Sequence, residues 1–418
     1  MDITSSVKKI AQDALVASRM MARLSSDVKN AALLRMADEL TWRSDFIIAE
    51  NNRDVNAARE KGLSAALIDR LTVGSQTIHL MAQGLREVAA LPDPVGKVTS
   101  MWRRPNGLLV GRMRIPLGVI GMIYESRPNV TVDASALCLK SGNAVILRGG
   151  SEAIHSNLAI ASVLQDVLAQ SPLADKAIQV IPFTDRDAVS ALLRLDDYID
   201  LIIPRGGEEL IRAVVAESRI PVIKHYKGVC HIFVDAQADT EMAINICANA
   251  KVQRPGVCNA METLLVHEDI APSFLPGLAD VLGRARVTLK GCEKTREILN
   301  NIEAAAQEDW FAEYLELTLA VKIVSSIDEA IAHIEKYGSL HTESIITRDY
   351  ANAQRFLNEV NSSTVLVNAS TRFSDGFELG LGAEIGISTT KLHAYGPMGL
   401  EELTTEKFII YGDGQVRK

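Results

Sequence analysis

Cys258 is the side chain whose surroundings in the sequence best fit covalent chemistry. It follows the turn-forming segment Arg254-Pro255-Gly256, precedes the amide of Asn259, and lies outside the regular apolar patterns. A nucleophilic cysteine needs solvent access and a lowered pKa, which a helix N-terminus or a cation such as Arg254 could supply. A buried cysteine that packs as a small hydrophobic residue is the other interpretation, and the spacing alone does not decide between them. That second interpretation suits Cys138, Cys230 and Cys247.

No chemical partner for Cys258 is evident from spacing. The eight histidines are dispersed, none is close to Cys258 in sequence, and His267 ends an apolar run as a structural residue would. A cysteine without an obvious base favours chemistry on an aldehyde or on an acyl group that is already activated. The five cysteines also lack metal-type or paired spacing, so neither a bound metal nor a disulfide framework is expected.

Two Gly-Gly segments form predicted strand-turn-helix corners. In the first, a strand ends at Leu147 and Arg148-Gly149-Gly150 precedes a helix; in the second, Arg205-Gly206-Gly207 follows a strand one βα unit later. Such corners bring a cation and helix-end N–H groups to the carboxyl edge of a parallel sheet, where nucleotides bind. Because neither segment has the G-x-G-x-x-G pattern, ordinary corners without a ligand are the alternative.

A polar loop, Glu125-Ser126-Arg127-Pro128-Asn129, follows the first predicted strand of the sheet. Arg127 could hold a phosphate or a carboxylate, and the amide of Asn129 could donate to an oxyanion. The same residue types suit a solvated surface loop, so the spacing leaves both interpretations open.

The elements that would position these residues form two α/β series. The first hundred residues are predicted to be helical, with Leu33, Met36, Ala37 and Leu40 at amphipathic spacing. Later strands, apolar on both faces and separated by helices, predict parallel sheets covered on both sides. The predicted strands are 118–124, 143–148, 178–182, 200–203 and 220–224, then 231–235, 262–267, 320–324, 343–347 and 363–367. Two series suggest two domains with a seam near 225–240, where substrate and cofactor would meet.

Two segments belong to neither series. Asn106-Gly107 is a strong hairpin-turn signal within 100–117, and 406–411 has the pattern of a lone strand. Together they could build a sheet between subunits, while an ordinary surface hairpin fits the pattern about as well.

Length and charge restrict the partners. The chain has 418 residues, with 44 Lys and Arg against 52 Asp and Glu, and a net charge of −8. This balance argues against nucleic acid or a membrane surface as the main partner, since both are anionic and bind basic protein surfaces. No signal-peptide pattern is present, nor an apolar run near the ~20 residues that span a bilayer. We therefore expect a cytoplasmic protein of two or three domains.

Five parts of the sequence, taken in order, resemble the aldehyde dehydrogenase superfamily across nearly the whole chain. They are 124–131, 140–143 with 147–150, 253–259, 340–345 and 382–389. The resemblance implies an α/β fold with a Rossmann-type cofactor domain, an α/β catalytic domain and a small β oligomerisation element. The implied ranges are 1–99 with 118–228 for NADP(H) binding, 229–398 for catalysis, and 100–117 with 399–418 for oligomerisation.

The resemblance also implies which residues contact the cofactor. Arg148-Gly149 matches the segment beside the adenosine ribose, and Gly206-Gly207 matches the turn near the pyrophosphate and nicotinamide. Glu313 matches a glutamate that contacts the nicotinamide ribose. Ser151 stands about where NAD-preferring members have a ribose-binding glutamate. Because Arg148 is kept while that carboxylate is missing, the site favours a 2′-phosphate and therefore NADP(H).

By the same resemblance, Cys258 matches the nucleophilic cysteine of the superfamily. Hydrolytic members carry a glutamate before a Gly-Gly-Lys segment, whereas the corresponding stretch here, 221–228, contains no carboxylate. Without that base, a thioester is protected from water and stays available for phosphate exchange or hydride transfer. Asn129 or the Cys258 N–H is the expected oxyanion donor, and Arg127 and Arg254 are the expected ligands of an anionic substrate.

The reaction that the resemblance implies is NADPH-dependent reduction of L-glutamyl 5-phosphate to L-glutamate 5-semialdehyde and phosphate, through a cysteine thioester, in proline biosynthesis. A phosphate-independent aldehyde dehydrogenase is one alternative, and a non-catalytic relative that binds nucleotide or a kinase is another. The expected partners are the acyl phosphate, further copies of the chain in a homo-oligomer, and the glutamate 5-kinase that would supply the acyl phosphate.

Overall fold

The computed structural model describes residues 2–417, apart from the side chain of Ala66; Met1 and Lys418, at the ends of the predicted ranges 1–99 and 399–418, lie outside it. The chain divides into two compact units. The first holds the chain up to Lys224, Leu381–Gly386 and the segment from Met398 onward. The second holds His225–Gly380 and Ile387–Pro397. The functional ranges implied by the family resemblance stay predictions.

The first unit begins with helices, as the apolar spacing predicts. They are α1 (Ile3–Met21), α2 (Ser26–Trp42), α3 (Ser44–Glu60), α4 (Ala65–Leu71) and α5 (Ser75–Ala90). The carboxylate of Asp2 caps α1 by accepting a hydrogen bond from the Ser5 N–H at 2.6 Å, which satisfies a backbone donor that the helix leaves unpaired. The predicted apolar stripe on α2 is buried, so this face packs into the core.

Strands and helices alternate in the rest of this unit. The strands are β1 (Val98–Arg103), β2 (Leu109–Pro116), β3 (Val119–Tyr124), β4 (Ala144–Gly149), β5 (Ile178–Val180) and β6 (Leu201–Arg205). The helices are α6 (Asn129–Lys140), α7 (Ile154–Ala169), α8 (Arg186–Leu192) and α9 (Glu208–Glu217). A parallel sheet has the order β5-β4-β3-β6. Every residue of β3 is buried, which explains its unbroken apolar sequence.

The predicted strand at 220–224 is wrong. Only an isolated parallel bridge forms there, between Ile202 and Val222. Continuing this ladder in either direction would require N–H donors at Pro204 and Pro221, and proline has none. Two prolines on opposite sides of the bridge therefore limit the pairing to one residue on each strand.

The second unit contains a seven-stranded parallel sheet with the order β10-β9-β11-β8-β7-β12-β13. Its strands are β7 (Cys230–Val234), β8 (Met261–His267), β9 (Thr288–Gly291), β10 (Glu303–Ala304), β11 (Thr318–Val324), β12 (Thr342–Ile346) and β13 (Thr364–Val367). Five of these were predicted. The sequence prediction missed β9 and β10, which are too short to form a recognisable apolar run. Two short strands, β14 (Gly386–Ser388) and β15 (Gly396–Met398), pair with each other.

Helices cover this second sheet and supply much of its core. They are α10 (Thr240–Val252), α11 (Ala271–Arg284), α12 (Glu293–Ile298), α13 (Ile327–Tyr337) and α14 (Tyr350–Glu359). One buried cluster joins Phe274, Leu275 and Leu278 of α11 to apolar residues of β7, β8 and β11. Between residues 2 and 417, no helix has both the length and the apolar character needed to cross a membrane.

The predicted hairpin and lone strand pair with each other. The last strand, β16 (Thr404–Tyr411), runs antiparallel to β2, and β2 runs antiparallel to β1, which gives a three-stranded sheet. The hairpin turn is closed by a hydrogen bond from the Gly107 N–H to the Arg104 carbonyl at 2.9 Å. Residues 406–411 are therefore not a lone strand, because their pairing partner lies about 290 residues earlier, as in the contact of Arg112 with Glu406.

Candidate active site

The loop between α10 and β8 presents Cys258. Residues 253–260 form turns between the end of α10 at Val252 and the start of β8 at Met261. Cys258 is partly exposed and, like the other four cysteines, forms no disulfide. Burial raises the pKa of the three fully buried thiols, those of Cys138, Cys230 and Cys247. Of these four, only Cys258 has the solvent access that a nucleophile needs.

The backbone of Gly228 packs closely against the backbone of Cys258. A methyl group at Gly228 would lie 1.9 Å from the Cys258 carbonyl oxygen, so only glycine permits this approach. The Gly228 N–H donates to Glu313 Oε1 at 2.8 Å, and the Cys258 carbonyl accepts from Cys230 Sγ at 3.1 Å. Glu313, expected from the family resemblance to contact a ribose, thus lies close to the cysteine loop. Its role toward the cofactor stays a prediction.

Two histidines that the sequence did not connect with Cys258 lie beside it. The Cys258 Sγ and one ring nitrogen each of His225 and His341 are within 4.8 Å of one another. The three residues come just before the amino ends of β8, β7 and β12, which are neighbouring parallel strands, so the strand order brings them together. His225 belongs to the stretch without a carboxylate, and His341 to a family motif, but neither spacing showed their proximity.

The two imidazoles differ in their environment. His225 Nδ1 lies 3.1 Å from the Ile387 carbonyl oxygen, and His341 Nδ1 lies 2.8 Å from Thr342 Oγ1. Burial, followed by the charge of His225, lowers the pKa of His341 to about 3. His341 is therefore neutral at physiological pH and can act as a hydrogen-bond acceptor or ligand.

Arg372 places a cation near Cys258. It lies in the single helical turn Thr371–Phe373, and its guanidinium donates to Gln253 Oε1 at 2.8 Å and to the Asn259 side-chain oxygen. Burial lowers the pKa of Arg372, while the charges of Asp375 and Cys258 oppose this shift. A cation that interacts with the sulfur favours the thiolate form. No local pattern in the sequence connects Arg372 with Cys258.

A buried ion pair connects the two elements on either side of the loop that carries Cys258. Lys251, at the end of α10, donates to Glu262 Oε2 on β8 at 2.6 Å, and both side chains are 0% exposed. The other oxygen of Glu262 accepts from the Leu315 N–H at 3.2 Å. Burial raises the pKa of Glu262 to about 7, and Lys251 opposes that rise. The pair fixes both ends of the segment that carries Cys258.

A separate aromatic cluster gives this unit an expected pH dependence. His333 is buried against Trp310 and Tyr337, and neither ring nitrogen has a hydrogen-bond partner among residues 2–417. Burial, followed by the charge of His231, lowers the pKa of His333 to about 2. The unfolded chain takes up a proton here near pH 6.5 and the folded chain does not. The free energy of unfolding therefore falls as pH decreases from about 6.5 toward 2.

We expect His333→Phe to remove this contribution. In that pH window, the slope of unfolding free energy against pH should become shallower by about 1.4 kcal/mol per pH unit. Denaturant unfolding at a series of pH values measures the slope. His79→Phe, at an exposed helical position, is the control and should leave the slope unchanged. An equal slope in the wild type and His333→Phe would contradict the expectation.

In the first unit, the carboxyl ends of β3, β4 and β6 form one edge of the sheet. Two carboxylates organise its loops: Glu125 accepts from the Gly207 N–H at 2.9 Å, and Glu152 accepts from the N–H and hydroxyl of Ser126 at 2.7 and 2.6 Å. Ser126 has a φ of 40°, in the left-handed region, and Glu152 holds it there. The sequence did not single out Glu152, although it adjoins the predicted site residue Ser151.

Arg148 lies at the end of β4 on this edge. One of its Nη atoms donates to the Thr184 carbonyl at 3.0 Å, while its buried Nε has no hydrogen-bond partner among residues 2–417. Burial lowers the pKa of Arg148, and Glu152 opposes the shift. An unsatisfied buried donor on a cation is suited to a phosphate acceptor. These residues therefore fit the phosphate-bearing nucleotide that the sequence predicted.

Two further predicted residues of this unit, Arg127 and Asn129, lie in the loop after β3 and at the start of α6. Arg127 is exposed after the end of β3. Asn129 is the first residue of α6, and its amide donates to Asp133 Oδ2 at 2.9 Å. Burial raises the pKa of Asp133 to about 6, which the Asn129 hydrogen bond opposes. Asn129 is thus held in one orientation, with a further N–H for another acceptor.

The predicted site residues fall into two groups. The first unit holds Arg127, Asn129, Arg148, Gly149, Ser151, Gly206 and Gly207, and the second holds Arg254, Cys258 and Glu313. Arg254 is exposed four positions before Cys258, and its charge acts on nearby Arg372. The first group follows the carboxyl ends of neighbouring strands, whereas Cys258 precedes the amino end of its strand.

Comparison with known proteins assigns this arrangement to a class. The model of the aldehyde dehydrogenase family matches residues 3–318. The chain therefore belongs to the aldehyde dehydrogenase family, whose members are oxidoreductases that use nicotinamide cofactors. The predicted family and the α/β fold class are confirmed. An engineered glycolyl-CoA reductase, solved with bound NADP+, shares the fold, with a TM-score of 0.68 and 15% identity over 96% of each chain.

Within the family, the chain groups with the gamma-glutamyl phosphate reductases. The curated reductases of Geotalea daltonii and Geobacter metallireducens are 64% and 61% identical to it over the full length of both chains. The crystal structure of the Thermotoga maritima gamma-glutamyl phosphate reductase has a TM-score of 0.97 and 46% identity, covering 99% of this chain and 100% of that one.

Proposed function

We propose that the chain catalyses NADPH-dependent reduction of L-glutamyl 5-phosphate to L-glutamate 5-semialdehyde and phosphate, as a cytoplasmic enzyme of proline biosynthesis. The observation that carries the proposal is an accessible Cys258 with two histidines within 4.8 Å and a cation nearby. The full-length identity to relatives named for reduction of this acyl phosphate supports the choice of substrate.

Cys258 supplies the nucleophile. Its thiol proton passes to the neighbouring His225, and the thiolate attacks the γ-carbonyl carbon of the acyl phosphate. Asn129 or the Cys258 N–H donates to the oxyanion that forms, and phosphate then leaves to give a thioester. Arg127 and Arg254 are proposed to bind the anionic groups of the substrate, and the Arg372 cation near Cys258 adds to the attraction of an anion.

The thioester is reduced rather than hydrolysed. NADPH, when bound, supplies the hydride that converts the thioester carbonyl to a thiohemiacetal. The thiohemiacetal then collapses to the aldehyde and frees the Cys258 sulfur. The segment 221–228, which corresponds to the stretch with the water-activating glutamate in hydrolytic relatives, contains no carboxylate. A thioester on Cys258 therefore lacks the carboxylate that would direct water at it from this segment.

Arg148, Gly149, Ser151, Gly206, Gly207 and Glu313 are proposed to hold the cofactor. Arg148 would contact the 2′-phosphate with its unsatisfied Nε, and the carboxylate of neighbouring Glu152 is already engaged by Ser126. A site with the Arg148 cation, and with Ser151 about where NAD-preferring relatives have a ribose-binding glutamate, favours NADPH over NADH.

Arg148→Ala should raise the KM for NADPH by about 10- to 150-fold, the equivalent of a hydrogen bond to a charged group, while the KM for NADH changes much less. Steady-state kinetics with both cofactors measures the ratio. Arg212→Ala, on the exposed side of α9, is the matched control and should leave both constants unchanged. A parallel loss for both cofactors would contradict a role at the 2′-phosphate.

The oxidative direction tests the reaction itself. Incubating the protein with L-glutamate 5-semialdehyde and NADP+ should produce NADPH only when inorganic phosphate is added. Arsenate should replace phosphate, since both anions can accept the acyl group from the thioester. NADP+ reduction at the same rate without either anion would favour the phosphate-independent aldehyde dehydrogenase. Other aldehydes serve as substrate controls.

Association with further copies of the chain and with a glutamate 5-kinase is also proposed. The three-stranded sheet exposes large apolar side chains, among them Met101, Trp102, Phe408 and Ile410, which are 38–59% exposed. Apolar side chains of this size on edge strands favour pairing with another copy. A native mass above the 45.4 kDa of one chain is the expected result.

The kinase is expected nearby because the acyl phosphate is labile and would benefit from transfer between adjacent enzymes.

A further inference from the structure

Cys258, His225 and His341 form a cluster of three potential metal ligands. A thiolate and two imidazoles are a ligand set typical of zinc, and the three donor atoms lie within 4.8 Å of one another. Of the three residues, His341 is fully buried, with an exposed fraction of 0%.

The surroundings of the imidazoles orient them as ligands. His225 Nδ1 lies at hydrogen-bond distance from the Ile387 carbonyl, and His341 Nδ1 from the Thr342 hydroxyl. Metal-binding histidines commonly use one ring nitrogen for such an outer contact and the other for the ion. The remaining nitrogen of His341, Nε2, is buried and has no hydrogen-bond partner among residues 2–417. A buried ring nitrogen without a partner points to a ligand.

The spacing needs only a small adjustment. In a tetrahedral zinc site, bond lengths of about 2.0–2.3 Å put the ligand atoms roughly 3.3–3.6 Å apart. The observed separations of up to 4.8 Å can close by side-chain rotation of about an ångström. With three protein ligands, a fourth position is left for water or an anion, as in sites that are open on one side.

We propose that these three residues form a binding site for Zn²⁺ and that its occupation reversibly inhibits the enzyme. Binding forms bonds from the ion to sulfur and to two nitrogens and releases the thiol proton; no group is oxidised or reduced. Sulfur bound to the ion cannot attack an acyl phosphate. The inhibition, but not the binding, rests on the proposed function of Cys258 as the nucleophile.

Titration of the full chain with Co²⁺ and Zn²⁺ tests the proposal. Co²⁺ should produce the thiolate-to-cobalt charge-transfer absorption, and Zn²⁺ should displace Co²⁺ at one ion per chain. Zn²⁺ should also abolish NADPH oxidation, and EDTA should restore it. Cys258→Ala should lose the absorption band. His225→Gln should weaken Zn²⁺ binding more than tenfold, because even an outer contact of a ligand contributes about 10–100-fold in affinity.

Two variants control for ions at other sites. Cys292→Ala removes another partly exposed thiol, and His267→Ala removes a histidine outside the cluster; both should keep the band and the inhibition. A band of full intensity in Cys258→Ala, or unchanged affinity in His225→Gln, would place the ion elsewhere and overturn the proposal. Binding with no loss of turnover would overturn the inhibition. The proposed function fails separately, if Cys258→Ala retains turnover without any metal.

Discussion

Replacing Cys258 by alanine is expected to lower NADPH oxidation with L-glutamyl 5-phosphate by at least roughly 10⁴-fold, since loss of a nucleophile removes the covalent route entirely. Binding of NADPH should change little, because the proposed cofactor residues other than Glu313 belong to the first unit. Single-turnover absorbance measures the chemistry, and fluorescence titration measures NADPH binding.

The matched control is Cys292→Ala. Cys292 is the other partly exposed cysteine, and its Sγ lies 3.2 Å from Thr295 Oγ1. Its replacement should preserve turnover. Wild-type turnover in Cys258→Ala would show that the accessible thiol is not the nucleophile. Loss of both turnover and NADPH binding would instead show that the substitution disturbs the fold.

The largest expected loss of stability follows from removing Lys251. In Lys251→Met, the buried carboxyl of Glu262 loses the cation 2.6 Å away, and the free energy of unfolding should fall by about 3–5 kcal/mol. The pKa of Glu262, already raised to about 7 by burial, should rise further without that opposing charge. Denaturant unfolding of the variant and the wild type measures the difference.

A double variant separates the unpaired charge from the loss of packing. Lys251→Met with Glu262→Leu removes both charges and should recover most of the lost stability, because apolar replacement of a whole buried pair is often neutral. Arg284→Met, which breaks the exposed pair with Asp280, is the surface control and should change stability by less than about 1 kcal/mol. Equal losses in Lys251→Met and Arg284→Met would contradict the argument from burial.

The sequence predicted most of the strands because a buried strand has a continuous run of apolar residues. A strand covered on both faces, such as β3 or β8, has to be apolar throughout, and this can be recognised without knowing its neighbours. The failed strand at 220–224 is apolar up to Lys224 and contains Pro221. Its ladder stops because neither Pro221 within the segment nor Pro204 on the opposite strand has an N–H to donate. The effect of Pro204 cannot be inferred from residues 220–224 alone.

The structure shows Cys258 partly exposed. By itself, the sequence determined the Pro-Gly turn before this residue, because turns form locally, and it left an accessible and a buried thiol open. It also determined that Arg148 would lie at the end of a parallel strand. Only the tertiary structure decided what surrounds Cys258. The order β8-β7-β12 places His225 and His341 beside it, and the turn after β13 adds Arg372. Strand order depends on how elements distant in sequence pack together. The contacts of Cys258 therefore cannot be inferred from the spacing of residues along the chain.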